Sequence, residues 1–567
     1  MTRQTSCAAP AGVVNRFQHS YSHKHFPIKG SLIVRRKHLA LFCLLTAFCL
    51  ILLQVIPATA SQPGPDAKSP AMVSDTSEKQ TTADHAKFPA LNQNFESGQA
   101  ITDACLSCHS EADDQIHQTI HWTWLSPYDT EGKTGKAGYS INNFCISANK
   151  MEDTDCSNCH IGWKGKKEGI NCLLCHSQKD IKWRDEFKDY TFFKESGDAD
   201  IALEIQEKIK DGAKSIGLPT RRNCGTCHFY GGGGEGVKHG DLDASLLNPD
   251  KNLDVHMGLD SENFRCTRCH TTTGHKIAGR VYSTPASMHR KSLVENDMVP
   301  KIMCESCHTA TPHAGGHKKM NDHADKVACQ TCHIPTFARK NSTEMYWDWS
   351  KAGKLKNGNP YIENDANGRH IYKSIKGSFK WEKNVIPEYY WYNGSVKTVM
   401  AGDKINPKET TRVSWPEGNR EDPNARIFPF KVHRGKQPYD TVHNIFIAPL
   451  LSPEENGYWK TFDWQDSSKR GMEIMGLPFS GKIGFADTVY VFPTTHMVAP
   501  EDEALSCSEC HVSSGGRMKN LAGFYMPGRD AFKLLDMGGW AGVLAALAGV
   551  LLHGLGRLFT NGRKKEK

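Results

Sequence analysis

The sequence predicts a mainly α-helical fold with long loops, in which short helices surround covalently bound cofactors. Three observations support this prediction. Counting Gly with the 38% of hydrophobic residues gives an apolar share typical of globular proteins, which excludes disorder as the main state. Sixteen of the 20 Cys lie in eight copies of the motif Cys-x-x-Cys-His. Each motif has about 62 residues of chain, too few to build a conventional side-chain core around every motif.

Residues 1–60 are predicted to be a secretory signal peptide. A basic cluster at 35–37 precedes the apolar run 39–55 and an Ala-x-Ala sequence that ends at Ala60, where we expect cleavage. The alternative is a retained anchor, because a run of this length is near the lower limit for crossing a bilayer. The next segment, 61–100, is polar and poor in aromatic residues, which predicts a flexible lead-in.

Seven of the eight motifs fall in residues 101–333, and the eighth lies in 507–536 with a connector. In chain order the motif residues are Cys105, Cys108 and His109; Cys156, Cys159 and His160; Cys172, Cys175 and His176; Cys224, Cys227 and His228; Cys266, Cys269 and His270; Cys304, Cys307 and His308; Cys329, Cys332 and His333; and Cys507, Cys510 and His511.

Each motif fits the attachment of one c-type haem. Two thiols separated by two residues match the two vinyl groups of a porphyrin, and the adjacent His reaches the iron as an axial ligand. Zinc would require paired Cys-x-x-Cys units in a tetrahedral set, and a redox-active disulfide would need one motif only. The sequence therefore predicts eight covalently bound haems. Since 11 residues separate His160 from Cys172, we expect the second and third haems to be nearly in contact.

Fourteen His remain for the distal side of these irons, once the motifs, the signal peptide and His553 are set aside. We expect seven of them to bind iron, because each lies near Gly, Thr, Trp or a motif: His121, His239, His256, His275, His289, His313 and His496. The nearest substitutes are His117, His317, His323 and His433, whereas His85, His370 and His443 are expected on the surface or in loops. Two His ligands close an iron to substrate, so a catalytic haem needs an open or weakly held position.

The segment 334–506 contains no motif but many aromatic residues. Gly, Pro and Asn are frequent and no long helical period is present, which predicts an irregular segment of short strands and loops. Such a segment would cover the haem core. It would either close one wall of a substrate channel or only shield the haem edges.

Residues 537–556 are predicted to form a transmembrane helix, followed by a basic tail at 557–567. By the positive-inside tendency the tail is cytoplasmic and the body lies on the periplasmic side of the membrane. The formal net charge of +8 comes from the two ends, because residues 61–556 carry 58 basic and 61 acidic side chains. The charge of the body therefore excludes nucleic acid as the expected partner.

Two blocks of sequence carry a family resemblance. Residues 224–243, Cys-Gly-Thr-Cys-His-Phe-Tyr-Gly-Gly-Gly-Gly-Glu-Gly-Val-Lys-His-Gly-Asp-Leu-Asp, and the later Cys266-Thr-Arg-Cys-His-Thr-Thr-Thr-Gly-His resemble the octahaem tetrathionate reductases over about residues 101–515. That family is related in haem arrangement to hydroxylamine oxidoreductase and cytochrome c nitrite reductase. The resemblance implies reduction of tetrathionate, nitrite or hydroxylamine at a haem whose distal ligand is a lysine just before its own motif.

Transferred to this sequence, the resemblance places the catalytic haem at the second motif, with His160 on one side of the iron and Lys150 on the other. Lys164, Lys166 and Lys167 compete for the same role but follow the motif. Cys145 is the one thiol outside the motifs after the signal peptide, and its position before Lys150 makes it a candidate substrate-side group. The alternative for Cys145 is a small buried apolar side chain.

The sequence thus predicts a membrane-anchored periplasmic reductase. A small sulfur or nitrogen oxyanion would be its substrate, and a membrane cytochrome b-type or other quinol-linked protein would donate the electrons. One alternative is a non-catalytic electron carrier in which two His close every iron. Another is hydroxylamine oxidation, although no tyrosine matches the crosslinked tyrosine of the oxidising relatives.

Overall fold

The computed structural model describes residues 83–562, apart from 128, 130, 149–158, 165–167, 280–301, 453–455 and 531. These residues belong to one compact unit that extends over Val73–Lys567. Several predictions therefore lie outside the described residues: the signal peptide, Lys150, Cys156, His289, Lys166, Lys167 and the end of the basic tail.

Helices dominate the part that carries the first seven motifs, and most of them are short. Within the described residues they are α1 (Gly98–Leu106), α2 (Ala112–His117), α3 (Ile120–Thr123), α4 (Leu173–His176), α5 (Trp183–Ser196), α6 (Ala199–Lys214), α7 (Arg221–His228), α8 (Cys266–Cys269), α9 (Glu305–His308), α10 (Cys329–His333), α11 (Tyr458–Thr461), α12 (Trp464–Met475), α13 (Cys507–Cys510) and α14 (Lys533–Gly562). The two longer helices of the body, α5 and α6, carry no motif and pack against each other.

The strands of the described chain lie almost entirely in the segment without motifs. They are β1 (Thr272–Thr273), β2 (Lys276–Ile277), β3 (Thr343–Asp348), β4 (Ile362–Asn364), β5 (His370–Lys373), β6 (Gly377–Glu382), β7 (Glu388–Tyr392), β8 (Val396–Thr398), β9 (Thr411–Arg412), β10 (Ser414–Pro416), β11 (Arg426–Asp440), β12 (Ile445–Phe446) and β13 (Ile483–Pro493). The main sheet has the order β4-β5-β6-β3-β11-β13-β9, and β7 and β12 also pair with β11.

This sheet is more regular than the sequence predicted, because β11 has 15 residues and β13 has 11. The two strands pair antiparallel from Phe430 opposite Pro493 to Asp440 opposite Ile483. A side chain at Gly435 would approach the carbonyl oxygen of Trp347 to 3.0 Å and that of Asn143 to 3.2 Å. Glycine therefore lets β3 and the segment around Asn143 pack directly against the middle of β11.

The lead-in differs from its prediction. From about residue 85 onward it is packed against the body: Phe95 is 1% exposed, and its backbone exchanges two hydrogen bonds with the side chain of Gln206 on α6. Leu91 and Phe95 join Trp163, Trp183 and the inner face of α6 in one hydrophobic cluster. The segment was predicted to be flexible because its composition is polar. Burial of the few apolar side chains, Leu91 and Phe95, is sufficient to order it.

Helix α14 is the one described helix long and apolar enough to cross a membrane, by its length and composition. Its apolar stretch is 27 residues long, and none of it is buried against the rest of the protein. Such a stretch rises about 40 Å, more than the hydrocarbon core of a bilayer. A C-terminal apolar helix is therefore present, and it begins a few residues before the predicted start.

Candidate metal centres

The motif residues adopt one helical turn at the site of attachment. The backbone N–H of the motif His donates to the carbonyl oxygen of the first Cys, at 2.9 Å for the first, fifth, sixth and eighth motifs and 3.1 Å for the third. Residues three apart on a helix share a face. The turn therefore presents two thiols toward one side and places the imidazole directly after them.

Six motif His lie opposite a second His at nearly the same separation. The ring centres are 6.2 Å apart for His85–His109 and His121–His228, 5.9 Å for His256–His308, 6.3 Å for His270–His496, 6.2 Å for His313–His333 and 6.1 Å for His323–His511. Most of these partners are distant in the sequence from their motif. The fold therefore brings six pairs of imidazoles to a common spacing.

This spacing fits a metal ion between the two rings. With nitrogen–metal bonds of about 2 Å and about 1.1 Å from ring centre to nitrogen, two imidazoles on one metal have centres about 6.2 Å apart. Direct stacking of two rings would bring them closer. The His pairs and the Cys turns beside them thus fit c-type haem with two axial His ligands.

Hydrogen bonds on the far side of the rings orient them toward this gap. Nδ1 of His270 donates to the carbonyl oxygen of Ala278 at 2.8 Å, and Nδ1 of His511 donates to that of Pro527 at 2.9 Å. Among the opposing residues, Nδ1 of His313 lies 3.1 Å from the side-chain oxygen of Asn321. When Nδ1 carries the proton, the lone pair of Nε2 is available for a metal.

The predicted distal residues are placed unevenly. His121, His256, His313 and His496 each face a motif His, as do two residues that the sequence did not favour, His85 and His323. His239 contacts the ring of Phe492, and no ring pair joins it to a described motif His. Nδ1 of His275 bonds to Gln115 at 2.8 Å, and its pKa is lowered by burial and by the nearby imidazoles of His176 and His109.

The second and third motifs differ from the other six. Neither His160 nor His176 forms a ring pair with another His of the described chain. Around His160 the neighbouring rings are Trp122 at 4.9 Å and Trp124 at 5.7 Å, and its Nε2 donates to the carbonyl oxygen of Trp122 at 2.8 Å. Binding iron through Nε2 requires exchanging this hydrogen bond for the metal bond.

Two lysines that sequence reasoning missed lie beside the second motif. The pKa of Lys238 is lowered to about 8, chiefly by burial and then by the positive charge of Lys136, while Cys159 acts in the opposite direction. The Nζ atom of Lys136 is buried and has no hydrogen-bond partner among the described residues. The pocket beside the second motif therefore carries positive charge in a poorly solvated place.

The glycine block of the resemblance explains how Lys238 is held. Gly232 and Gly233 have φ values of +84° and +95°, which favour glycine. A side chain at Gly231 would approach Cδ of Lys238 to 3.3 Å, and one at Gly232 would come within 2.9 Å of Val237. The loop folds back over the aliphatic part of Lys238, and this close approach accounts for the repeated glycines.

Contacts between thiols give the order in which the motifs neighbour one another. In four pairs the two thiols lie close enough to shift each other's pKa: Cys105 with Cys172, Cys159 with Cys227, Cys224 with Cys266, and Cys304 with Cys329. Three further pairs of thiols are close enough to interact electrostatically: Cys175 with Cys224, Cys269 with Cys307, and Cys332 with Cys510. The motifs thus form a chain 1-3-4-5-6-7-8 from which the second branches at the fourth.

The sequence predicts that the second and third haems are nearly in contact. Among the described residues the third motif lies beside the first through Cys172, and the second lies beside the fourth through Cys159. The contact between the second and third haems stays a prediction, because Cys156 lies outside the described residues. A bridge between Gly162 and Ile170 joins the two ends of the segment between these motifs.

Cys145 lies at a small cavity beside the sheet. The cavity is lined by Asn142, Cys145, Gln437, Phe446 and their neighbours. Asn142 accepts hydrogen bonds from the backbone N–H of Phe144 and Cys145, and it thereby fixes this turn. Cys145 thus lies on the segment that leads toward Lys150. Lys150 itself is outside the described residues.

His433 has both ring nitrogens engaged by protein groups. Its Nδ1 lies 2.9 Å from Oδ1 of Asn143, and its Nε2 lies 3.1 Å from Oε1 of Glu344. All three residues are buried, and His433 is 0% exposed. Its imidazole therefore has no nitrogen left for iron, which removes it from the possible distal ligands.

Asp241 tunes one of the six His pairs. Its Oδ2 lies 3.4 Å from Nδ1 of His496 and accepts the backbone N–H of Thr495 at 2.7 Å. A carboxylate at this place makes the imidazole a stronger electron donor. We expect Asp241→Asn to raise the reduction potential of the iron at the fifth motif by tens of millivolts, on the order that outer-shell hydrogen bonds produce.

Spectroelectrochemical titration of the purified protein tests this prediction. One component of the titration should move to higher potential in the variant and the others should stay in place. An unchanged titration would show that the hydrogen bond to His496 has no electronic effect on the iron.

A family described as bacterial cytochrome c matches residues 344–514. The crystal structure of octahaem cytochrome c from Shewanella oneidensis is similar over 78% of this chain and 99% of that chain, with 38% identity and a TM-score of 0.63. An uncharacterized protein of Archaeoglobus fulgidus is 25% identical over 235 residues, which cover 30% of this chain and 73% of that protein.

Proposed function

This chain belongs to the octahaem c-type cytochromes and carries covalently bound c-type haems, and from that premise we propose that it is a reductase with its catalytic site at the second motif. The proposed substrates are tetrathionate, nitrite and hydroxylamine. The proposed axial ligands at that site are His160 and Lys150. Membership of this family makes the chain a multihaem redox protein. The reaction and the position of the catalytic site are what we propose.

The observation that carries the proposal is the set of groups beside the second motif. The rings of Trp122 and Trp124 flank His160, and the charge of Lys238 acts on Cys159 of the same motif. Six other motif His face another imidazole at 5.9–6.3 Å, which suits iron that only transfers electrons. Bound haem supplies one-electron transfer and, where an axial ligand can be displaced, a position for a substrate.

The residues around this motif suit an anion. Lys136 and Lys238 bring positive charge into a poorly solvated pocket, where attraction to an oxyanion is stronger than in water. With its pKa near 8, Lys238 can also release a proton at neutral pH, as reduction of an oxyanion requires. Arg184 holds the backbone in place by donating to the carbonyl oxygens of His160 and Gly162.

Five of the six His pairs, those of the fourth to eighth motifs, supply the route for electrons. We assign His85, His121, His256, His313, His323 and His496 as distal ligands, and the order of thiol contacts links the eighth motif to the second through the fourth. Helix α14 is proposed to anchor the protein with its body on the periplasmic side. The proposed donor is a quinol-linked membrane protein such as a cytochrome b.

The lysine ligand is tested by the variant Lys150→Ala. We expect turnover of nitrite and tetrathionate to fall about tenfold or more, equivalent to at least 1.4 kcal/mol in the barrier. The spectrum of one haem should change, because a different group then binds the iron. The matched control is Lys164→Ala, since Lys164 is 75% exposed and its amine pairs with Glu168 at 2.6 Å.

If Lys150→Ala leaves both spectrum and turnover unchanged, the lysine ligand is wrong. Steady-state turnover of the wild-type protein with tetrathionate, nitrite and hydroxylamine under one artificial donor chooses among the substrates. A protein whose haems are all low-spin and do not respond to nitrite or cyanide would be a non-catalytic carrier. If the protein oxidises hydroxylamine and does not reduce it, the result would support the alternative of a hydroxylamine-oxidising enzyme.

A further inference from the structure

The connector after the eighth motif folds back onto that motif. Nδ1 of His511 donates to the carbonyl oxygen of Pro527 at 2.9 Å, and Met518, Leu521 and Met526 are buried in a cluster with Cys510. A side chain at Gly528 would come within 2.7 Å of the carbonyl carbon of His511. Residues 512–530 are thus part of the surroundings of the eighth haem rather than a loose tether.

This connector lines a shallow, widely open groove of about 520 Å³. Its lining comprises Lys519, Leu521, Ala522, Gly523, Phe524, Tyr525, Arg529 and Asp530. Such a volume and such a mixture of apolar walls with a few polar groups are typical of sites for small organic molecules. The ring of Tyr525 is 70% exposed, so the wall of the groove is available to a ligand.

Arg529 gives the groove a fixed shape. Its guanidinium donates to the carbonyl oxygens of Met518 and Phe524, pairs with Asp530 at 2.7 Å and lies 4.8 Å from the ring centre of Phe524. The positions of the two polar groups and of the aromatic wall are therefore set before any ligand binds. Preorganisation of this kind reduces the cost of binding.

The groove lies close in sequence to the apolar helix. Asp530 is three residues before Lys533, where α14 begins, and Pro527 is six residues before it. Six residues reach about 20 Å at most. Phe532 and Trp540 are exposed near the start of the helix, where aromatic residues favour the membrane–water interface. A membrane that holds α14 therefore brings the groove to the level of the lipid headgroups.

We propose that this groove binds a membrane quinol and that the protein oxidises the quinol directly at its eighth motif. The inference rests on the membrane anchorage proposed above. The quinol loses two electrons and two protons and becomes a quinone. The two electrons reduce two ferric haem irons, starting at the eighth motif, and the protons leave through the open side, where Asp530 is the nearest carboxylate. In this proposal the quinol itself replaces the quinol-linked membrane protein named above as the donor.

Binding is measured with the full-length protein in detergent. The probe is 2-heptyl-4-hydroxyquinoline N-oxide, a fluorescent quinol analogue whose emission is quenched when it binds near a haem. We expect saturable binding, and about a tenfold rise in Kd for Tyr525→Ala and for Ala522→Trp, because one variant removes an aromatic wall and the other fills the groove. The matched control is Phe192→Ala, which removes an aromatic side chain that is 64% exposed on α5.

Electron transfer is measured with menadiol as the sole donor. We expect menadiol to reduce the haems of the purified protein with no other protein present, and more slowly in Tyr525→Ala and Ala522→Trp. Reduction by dithionite, and dithionite-driven turnover, should be equal in all variants. Quinol oxidation at this groove is overturned if menadiol requires added membranes, if Ala522→Trp behaves as wild type, or if quinol-free lipid vesicles displace the probe. Loss of dithionite-driven turnover in the wild type would instead contradict the proposed reductase.

Discussion

A His313→Ala variant is expected to bind one more equivalent of carbon monoxide per chain than the wild-type protein. The rings of His313 and His333 are 6.2 Å apart and nearly parallel, with an interplanar angle of 10°. Removing one ring leaves the iron of the seventh motif with an open position. Carbon monoxide binds ferrous haem where such a position is open, so the added binding reports the ligand directly.

The measurement is a titration of the dithionite-reduced protein with carbon monoxide, followed by its absorption spectrum. His317→Ala is the matched control, because His317 lies four residues after His313, in the short helical segment Gly315–His323, and its side chain is exposed. The control should bind as the wild type does. Equal stoichiometry in His313→Ala and wild type would remove His313 as a ligand and would weaken the reasoning for the other five pairs.

These ligand pairs mark the limit of what the sequence alone could predict. A Cys-x-x-Cys-His motif is local, so its chemistry follows from five adjacent residues. The opposing imidazole is supplied by tertiary structure: His323 meets His511 and His121 meets His228 across long stretches of chain. His85 was placed on the surface by composition. Its actual position depends on Phe95, whose packing against Gln206 ties down the segment that carries it.

The sheet illustrates the same limit. Turn-forming residues and aromatic clusters predicted short strands, yet β11 continues through Pro429, Gly435 and Pro438. These breakers are tolerated because β11 is paired on both sides and each neighbour covers only part of it: β7 pairs near its start, and β3 pairs parallel around Gly435. Pairing of distant strands overrode the local signal.

The branch in the order of motifs has a functional consequence. The fourth motif contacts the second through Cys227 and the fifth through Cys224, so it joins the proposed catalytic site to the route from the eighth motif. The first and third motifs lie on a separate arm. Electrons supplied at the membrane end would pass the fourth motif before they reach the second, whatever the state of the other arm.

Glu344→Gln is expected to stabilise the protein increasingly as pH rises from 5 to 8. The amide of Asn143 donates to the carbonyl oxygen of His433 at 3.1 Å, so its oxygen faces Nδ1 of His433, which must carry the proton. A neutral imidazole then offers a lone pair at Nε2. The carboxyl of Glu344 fills this acceptor only if it is protonated.

Burial raises the pKa of Glu344 to about 8, against the opposing charges of Lys431, Lys376 and Lys373. Burial also holds the pKa of His433 well below its ordinary value, which favours the neutral pair. In the unfolded chain Glu344 loses its proton near 4.5. Between these two pH values the folded state retains a proton that the unfolded state releases. The contribution of Glu344 to the free energy of unfolding therefore falls by about 1.4 kcal/mol for each pH unit.

Glutamine carries no such proton and can donate its amide N–H to His433, so the variant lacks this slope. Between pH 4.5 and pH 8 the variant's gain in free energy of unfolding over the wild type approaches an upper bound of about 5 kcal/mol. Urea unfolding of both proteins at several pH values measures it, with the exposed Glu363→Gln on β4 as the control. If the pair is instead ionic, with His433 charged, Glu344→Gln breaks it and destabilises the protein by about 3–5 kcal/mol at every pH. The two charge states thus predict opposite signs at pH 8.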